Sequence, residues 1–198
     1  MLRFSIKFSI IILLLLIIFF FLFPISNLKG KKIIILLEEG VNDIEFIYPK
    51  IFFKISGADV KIVAPTKNKY RGEYFLKFKP DTVINYLNLI EIDALIIPGG
   101  KAPEKFKRDS RILEIVQELN NKNKIIAAIC HGPLVLISAQ IAKGKKITGY
   151  HTLKDEILLD GGKYVNRKVV VDGNIITSRH PGDLRIFCKT IAYFLKRK

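Results

Sequence analysis

Residues 125–138 read IIAAICHGPLVLIS, and the fold turns on how that stretch is divided. Ile125, Ile126, Ala127, Ala128 and Ile129 form an unbroken apolar run of the kind found in a strand buried on both faces. Pro133 suits the first turn of a helix, and Leu134, Val135, Ile137 and Ser138 continue a helical pattern. Cys130 therefore sits at a tight strand-to-helix corner. A nucleophile at such a corner projects outward, with backbone N–H groups and the positive helix end beneath it. A free cysteine is equally at home as a small buried apolar residue. The stretch alone leaves both readings open.

The flanking segments repeat the strand–helix alternation. KKIIILLEEG, from Lys31, reads as a buried strand ending at Glu38, Glu39 and Gly40. NDIEFIYPKIFFKISG follows as a helix, opened by Asn42 or Asp43 and stopped by Gly57, with Pro49 predicting a kink or a late start. ADVKIVAP is a second strand, YRGEYFLKFKP a small hairpin or edge excursion, and DALIIPGG a third buried strand with a glycine turn. Ile112, Leu113, Ile115, Val116 and Leu119 mark one face of a further helix. After the Cys130 corner come a helix near 153–159, a hairpin around Asp172-Gly173-Asn174, and a terminal helix that carries Cys188. This order predicts an α/β domain with a mostly parallel sheet covered on both faces. Ligands of such sheets bind beyond the carboxyl ends of the strands. Glu38–Gly40, Gly99-Gly100 and Cys130 all fall there.

The amino terminus is of another kind. Between Lys7 and Lys29 lie 21 uncharged residues, and Ile10 to Phe23 is Ile, Leu and Phe throughout. A helix of that length, at about 1.5 Å per residue, spans the roughly 30 Å hydrocarbon core. A cleaved signal peptide is the rival, but the exit FLFPISNLKGKK lacks small residues in an A-x-A-like pattern. The expectation is a single-pass membrane anchor over residues 1–29, followed by one α/β domain over 30–198. The charges on its two sides leave the orientation open.

The chain carries a net charge of +15, and +12 remains without Arg3, Lys7 and Lys29. No aromatic-interleaved basic motif or zinc-finger spacing accompanies it, which argues against a nucleic-acid partner. A solvated lysine-rich surface, or attraction to anionic lipid, accounts for the excess. Two cysteines in different contexts imply no disulfide framework. His131, His151 and His180 all fall on loops near the strand ends. They lack an H-E-x-x-H or paired-cysteine spacing, so neither a metal nor a cofactor is expected.

AAICHGP, DALIIPGGKAPE, NDIEFIYP and VVVDGNIITSRHPGDL together resemble the PfpI-type intracellular cysteine peptidases of the ThiJ/PfpI superfamily. The similarity runs from Lys32 to the C-terminus, and the hydrophobic amino terminus lies outside it. The resemblance implies a flavodoxin-like, class I glutamine amidotransferase-like sandwich with a nucleophile elbow. It also implies roles. Cys130 is the nucleophile, with a thiol pKa below the ordinary value, and Glu45 is the carboxyl group lying against its sulfur. His131 is the base, oriented by Glu104 of a neighbouring subunit, so that the complete site needs a homo-oligomer. Gly100 and the backbone N–H of His131 form an oxyanion hole. Gly99, Tyr150 and His180 line the pocket, while Arg179 and Asp183 are structural. His180 stands where a small or apolar residue is expected, and His151 where a proline is.

The first functional expectation is a membrane-anchored cysteine hydrolase of peptidase type, in which Cys130 attacks an amide and water releases the acyl-enzyme. The second is a glyoxalase or deglycase-type enzyme, whose thiolate adds to a small oxoaldehyde carbonyl. The third is a non-enzymatic redox sensor or chaperone-like module. The first two share the nucleophile and the oxyanion donors, so the residues discriminate poorly between them. An amidotransferase is disfavoured, because HPG at 180–182 only half resembles a His-Pro-Glu.

Overall fold

In the computed structural model, which describes residues 27–197, a seven-stranded sheet runs in the order β10-β11-β7-β6-β1-β2-β5. Its centre is β1 (Lys32–Leu36), β6 (Ala94–Ile97) and β7 (Ile125–Ile129), flanked by β2 (Asp59–Ala64) and β11 (Ile175–Ser178). The edges are β5 (Thr82–Val83) and β10 (Val169–Asp172), and only the β10–β11 pair is antiparallel. Every residue of β6 and β7 is buried, which explains why these strands read as continuous apolar runs rather than alternating ones. The α/β class and mostly parallel sheet expected from the sequence are what the chain forms.

Strand order reverses at β1: the chain leaves it toward β2, then returns to its other side with β6 and β7. Right-handed crossovers therefore place α1 (Asp43–Ile55) and α3 (Ser110–Asn121) on opposite faces. On α3 the buried positions are Ile112, Ile115, Val116 and Leu119, the predicted face, and Asp109 caps its first turn. The terminal helix α6 (Leu184–Arg197) packs beside α1 and against β11, burying Phe187, Cys188 and Ile191. Shorter elements complete the chain: the hairpin β3 (Tyr70–Arg71) and β4 (Lys77–Phe78), and α2 (Pro103–Phe106). Beyond the elbow lie α4 (Pro133–Ser138), β8 (Lys146–Ile147), α5 (Lys154–Leu159) and β9 (Lys163–Tyr164). Despite Pro49, α1 runs unbroken from Asp43 to Ile55, so the late start expected from that proline does not occur.

The expected membrane-spanning helix is corrected. Among the described residues no helix is long and apolar enough to cross a membrane. The longest of these, α6, has 14 residues, about 21 Å at 1.5 Å each, short of the roughly 30 Å hydrocarbon core. The run Ile10–Phe23 lies outside the described residues, and the expected membrane location is withdrawn with the helix. Where the chain enters view it is already part of the domain. Leu28 is 1% exposed and its N–H donates to the Ser56 carbonyl at 2.7 Å. A chain beginning at Asn27 should therefore resist urea better than one beginning at Gly30. The difference should be roughly 2 kcal/mol or more, the value of one buried leucine. Equal midpoints would show that Leu28 adds nothing to the core.

Candidate active site

The site forms where the carboxyl ends of β1, β6 and β7 meet, at the reversal of strand order. Its corner is Cys130, whose φ of +60° lies in the left-handed region. For a residue with a Cβ that conformation costs on the order of 1–3 kcal/mol. Neighbours hold the turn closed. The Cys130 N–H donates to Ser178 O at 3.1 Å, Tyr150 N–H donates to Cys130 O at 2.8 Å, and Gly132 N–H donates to Ile129 O at 2.8 Å. A Cβ on Gly132 would stand 2.6 Å from the Ile97 carbonyl, so glycine lets the turn seat directly on β6.

Glu45 is carried beneath this corner by the first turn of α1. Asn42 caps that helix, its side-chain oxygen accepting the N–H groups of Ile44 and Glu45, each at 3.2 Å. Glu45 is 0% exposed, and its Oε2 accepts the Gly99 N–H at 2.8 Å. Gly99 makes the approach possible. A Cβ there would lie 2.6 Å from Glu45 Oε2 and 2.7 Å from Cys130 Cβ. Gly100, with φ +77°, continues the turn, and a Cβ on it would meet Asn42 N and Gly40 O at 2.5 Å.

Burial pushes the Glu45 carboxyl up to about 7, against the opposing pull of the Gly99 N–H and the Cys130 thiol. Burial also pushes the Cys130 thiol up to about 12, with the Glu45 charge adding to it. The backbone N–H groups of Gly100 and His131 pull the thiol back toward ionisation. The sequence-based expectation of a thiol below its ordinary pKa is therefore corrected. That expectation rests on the helix end, His131 and Glu45, whereas burial dominates and Glu45 acts in the opposite direction. Two acids in one dry pocket do not ionise together, so the pair titrates as a unit.

His131 Nδ1 stands 3.3 Å from Cys130 Sγ. Burial lowers the imidazole pKa, while Glu73, Glu104 and Glu156 raise it and His151 lowers it further. Its ring packs against Tyr150 at a centroid distance of 5.0 Å, and Tyr150 in turn packs against His151 at 4.4 Å. Glu104 is half exposed and turned to its own chain, 2.9 Å from Lys107 Nζ and 3.8 Å from Arg108.

A cleft of about 540 Å³ opens over the sulfur. It gathers Cys130, His131, Gly100, Glu104 and Tyr150 of the expected set. His180 is not on its wall; the adjacent Pro181 is. The His180 ring instead accepts the Gly182 N–H at 3.2 Å and lies 3.7 Å from Asp183. Arg179 and Asp183 pair at 2.8 Å below that loop. Asn42, Glu73, Tyr74 and Lys101 also line the cleft and were not singled out from sequence. Glu73 and Tyr74 arrive on the β3–β4 hairpin, far in sequence from the glycine turns and the elbow. Among the described residues no cluster of three His, Cys, Asp or Glu could hold a metal ion.

Residues 31–193 match the DJ-1/PfpI family. Deglycase PfpI of Pyrococcus furiosus is 38% identical over 165 residues, covering 83% of this chain and 99% of that protein. The Bacillus subtilis protein YraA, named as a proposed cysteine protease, is 36% identical over 84% of this chain and 99% of its own. Among solved structures, Drosophila melanogaster DJ-1beta superposes with a TM-score of 0.80 at 28% identity, over 86% of this chain and 92% of that one. A two-domain Anabaena variabilis protein with DJ-1/ThiJ/PfpI-like and ferritin-like domains gives 0.82 at 40% identity; 84% of this chain matches 48% of that one.

Two outcomes follow from the buried pair and the strained corner. A carboxyl whose pKa rises on folding holds its proton more tightly in the folded state. Stability therefore falls as pH climbs from the unfolded value of 4.5 through about 7. The cost, roughly 3 kcal/mol, is complete above that window and absent below it. Glu45→Gln keeps an acceptor for Gly99 and removes the charge. In urea titrations it should gain on the wild type between pH 4 and pH 8 by about that amount; a pH-independent difference would contradict the burial argument. At position 130, glycine should be more stable than alanine by about 1 kcal/mol, the reverse of the usual order, because only alanine bears the left-handed strain. Thermal melts of Cys130→Gly and Cys130→Ala compare the two directly.

Proposed function

Because the chain belongs to the DJ-1/PfpI family, we propose that it is a cysteine-dependent enzyme of deglycase type. In this reading Cys130 adds to the carbonyl carbon of a small oxoaldehyde adduct, and Glu45 handles the proton. One observation carries the choice. The partner built against Cys130 within a single chain is the fully buried Glu45 carboxyl, held by Gly99 and poised near neutrality. The names of the Pyrococcus relatives point the same way.

The chemistry uses groups already placed. Once the adduct has released its amine to re-form the aldehyde carbonyl, the sulfur forms the C–S bond as its proton passes to the Glu45 carboxylate. The carbonyl π pair moves onto oxygen, near the N–H groups of Gly100 and His131. That oxygen takes the proton from Glu45, which then moves the C–H proton from the sulfur-bearing carbon to its neighbour. Water hydrolyses the resulting thioester, breaking the C–S bond and freeing the thiol. For a methylglyoxal adduct, one water is consumed and the amine leaves with lactate. The aldehyde carbon is oxidised and the ketone carbon reduced, so no outside oxidant enters.

Peptide hydrolysis is the second reading, favoured by the 3.3 Å contact between His131 and the sulfur. It needs a carboxylate to orient His131. Glu104, bound to Lys107 and Arg108, does not do so within its own chain. That reading thus calls for a neighbouring subunit, as the resemblance implied.

The deciding assay gives the protein N-acetyl-arginine adducts of methylglyoxal, freed of excess aldehyde, and fluorogenic peptides in parallel. Lactate release should occur, vanish in Cys130→Ser, fall at least about a hundredfold in Glu45→Gln, where the proton carrier is lost, and persist in Glu104→Gln. Peptide cleavage that depends on Glu104, with the adducts untouched, would reverse the order of the two readings.

A further inference from the structure

The charges around the cleft are unevenly held. Glu73 is fixed by a strap of hydrogen bonds that ties the β3–β4 hairpin across the end of β1. Gly40 N–H donates to Arg71 O at 2.8 Å, Glu73 N–H to Val41 O at 2.9 Å, and Tyr74 N–H to buried Asp43 at 2.7 Å. Its Oε2 accepts from the side chain of Asn42, the cap of the helix that presents Glu45, at 2.9 Å. No cation pairs with Glu73 among the described residues. The other cleft charges are weaker claims on the site. Glu104 is ion-paired with Lys107 and Arg108, and Lys101 is an exposed side chain on the rim. Burial keeps His131 from adding positive charge. Tyr74 and Tyr150 line the same cleft as Glu73.

We propose that Glu73 is a specificity-determining residue, selecting substrates that carry an ammonium or guanidinium group next to the carbonyl attacked by Cys130. A carboxylate held by Asn42 and left without a cation partner among the described residues offers a bound cation an ion pair, in a cleft that two tyrosines also line. The selection runs against the molecule as a whole, whose net charge of +15 repels cations. The local field decides because a charge within a Debye length, roughly 10 Å at moderate salt, outweighs screened ones further away. The inference rests on the proposed function only in taking the Cys130 sulfur as the reacting atom.

The experiment reads charge preference without any turnover, so it stands or falls independently of the deglycase reading. Methanethiosulfonates bearing trimethylammonium, a neutral group or sulfonate are reacted with the protein. The Cys130 sulfur forms a disulfide and methanesulfinate leaves, while Cys188, 0% exposed, stays silent. Each charged rate is divided by the neutral one, which cancels any change in the reactivity of the thiol itself. At low salt the cation should react roughly three- to tenfold faster than the neutral reagent, and the anion slower. Glu73→Gln, which preserves an acceptor for Asn42, should bring both ratios close to one, as should about 1 M salt. A wild-type preference for the anion, or cation ratios unchanged in Glu73→Gln, would overturn the proposal.

Discussion

A carboxyl group is buried without a counter-charge against a cysteine, and much of the local architecture exists to keep it there. Glu45 reaches the sulfur only because Gly99 has no side chain, and the Gly99 N–H supplies its hydrogen bond. Gly99 in turn holds its position because β6 ends beside the turn after β1, where Val41 and Gly100 pair as an isolated bridge. The Asn42 cap fixes the first turn of α1, and with it the depth at which Glu45 enters. Each of these contacts is ordinary in energy. Together they hold a group that burial alone would expel or protonate.

The same arrangement couples stability to chemistry. A carboxyl pushed up to about 7 costs folding energy at neutral pH, and a cysteine at φ +60° costs more. Both costs fall on the two residues that carry the proposed reaction, and the dense parallel sheet beneath them supplies the offset. The high thiol pKa follows from the same burial. After burial itself, the Glu45 charge is the largest influence on the thiol, ahead of the backbone N–H groups of Gly100 and His131.

The cleft above the pair is built from different parts of the chain and serves a different purpose. The β3–β4 hairpin joins the core through Tyr70 and Phe78, is strapped across the end of β1, and presents Glu73 and Tyr74 to the opening. In the proposed reading, reactivity belongs to the strand ends and recognition to a hairpin with exposed Tyr74, Phe75 and Leu76. A site divided in this way can change its ligand preference without disturbing the nucleophile.

Much of this was legible in the residues themselves. The apolar runs at Ile33–Leu36, Ala94–Ile97 and Ile125–Ile129, separated by helical periodicities, specify a buried parallel sheet because no other packing hides both faces of such strands. The elbow was legible from CHGP, since Gly132 and Pro133 together permit a tight turn into a helix. Glu45 was nameable only by resemblance; as a bare sequence feature it is one glutamate in an amphipathic helix. Three things only tertiary structure decided. The thiol's ionisation depends on desolvation, which is a property of surroundings and not of neighbours in sequence. Glu104 turned to Lys107 and Arg108, a choice among rotamers and partners that spacing does not reveal. Glu73, 57 residues before Cys130 in the chain, reached the cleft because strand order reverses at β1 and the hairpin folds back across it. Local sequence sets which elements form, but the field at the sulfur is summed over groups that only folding brings within a Debye length.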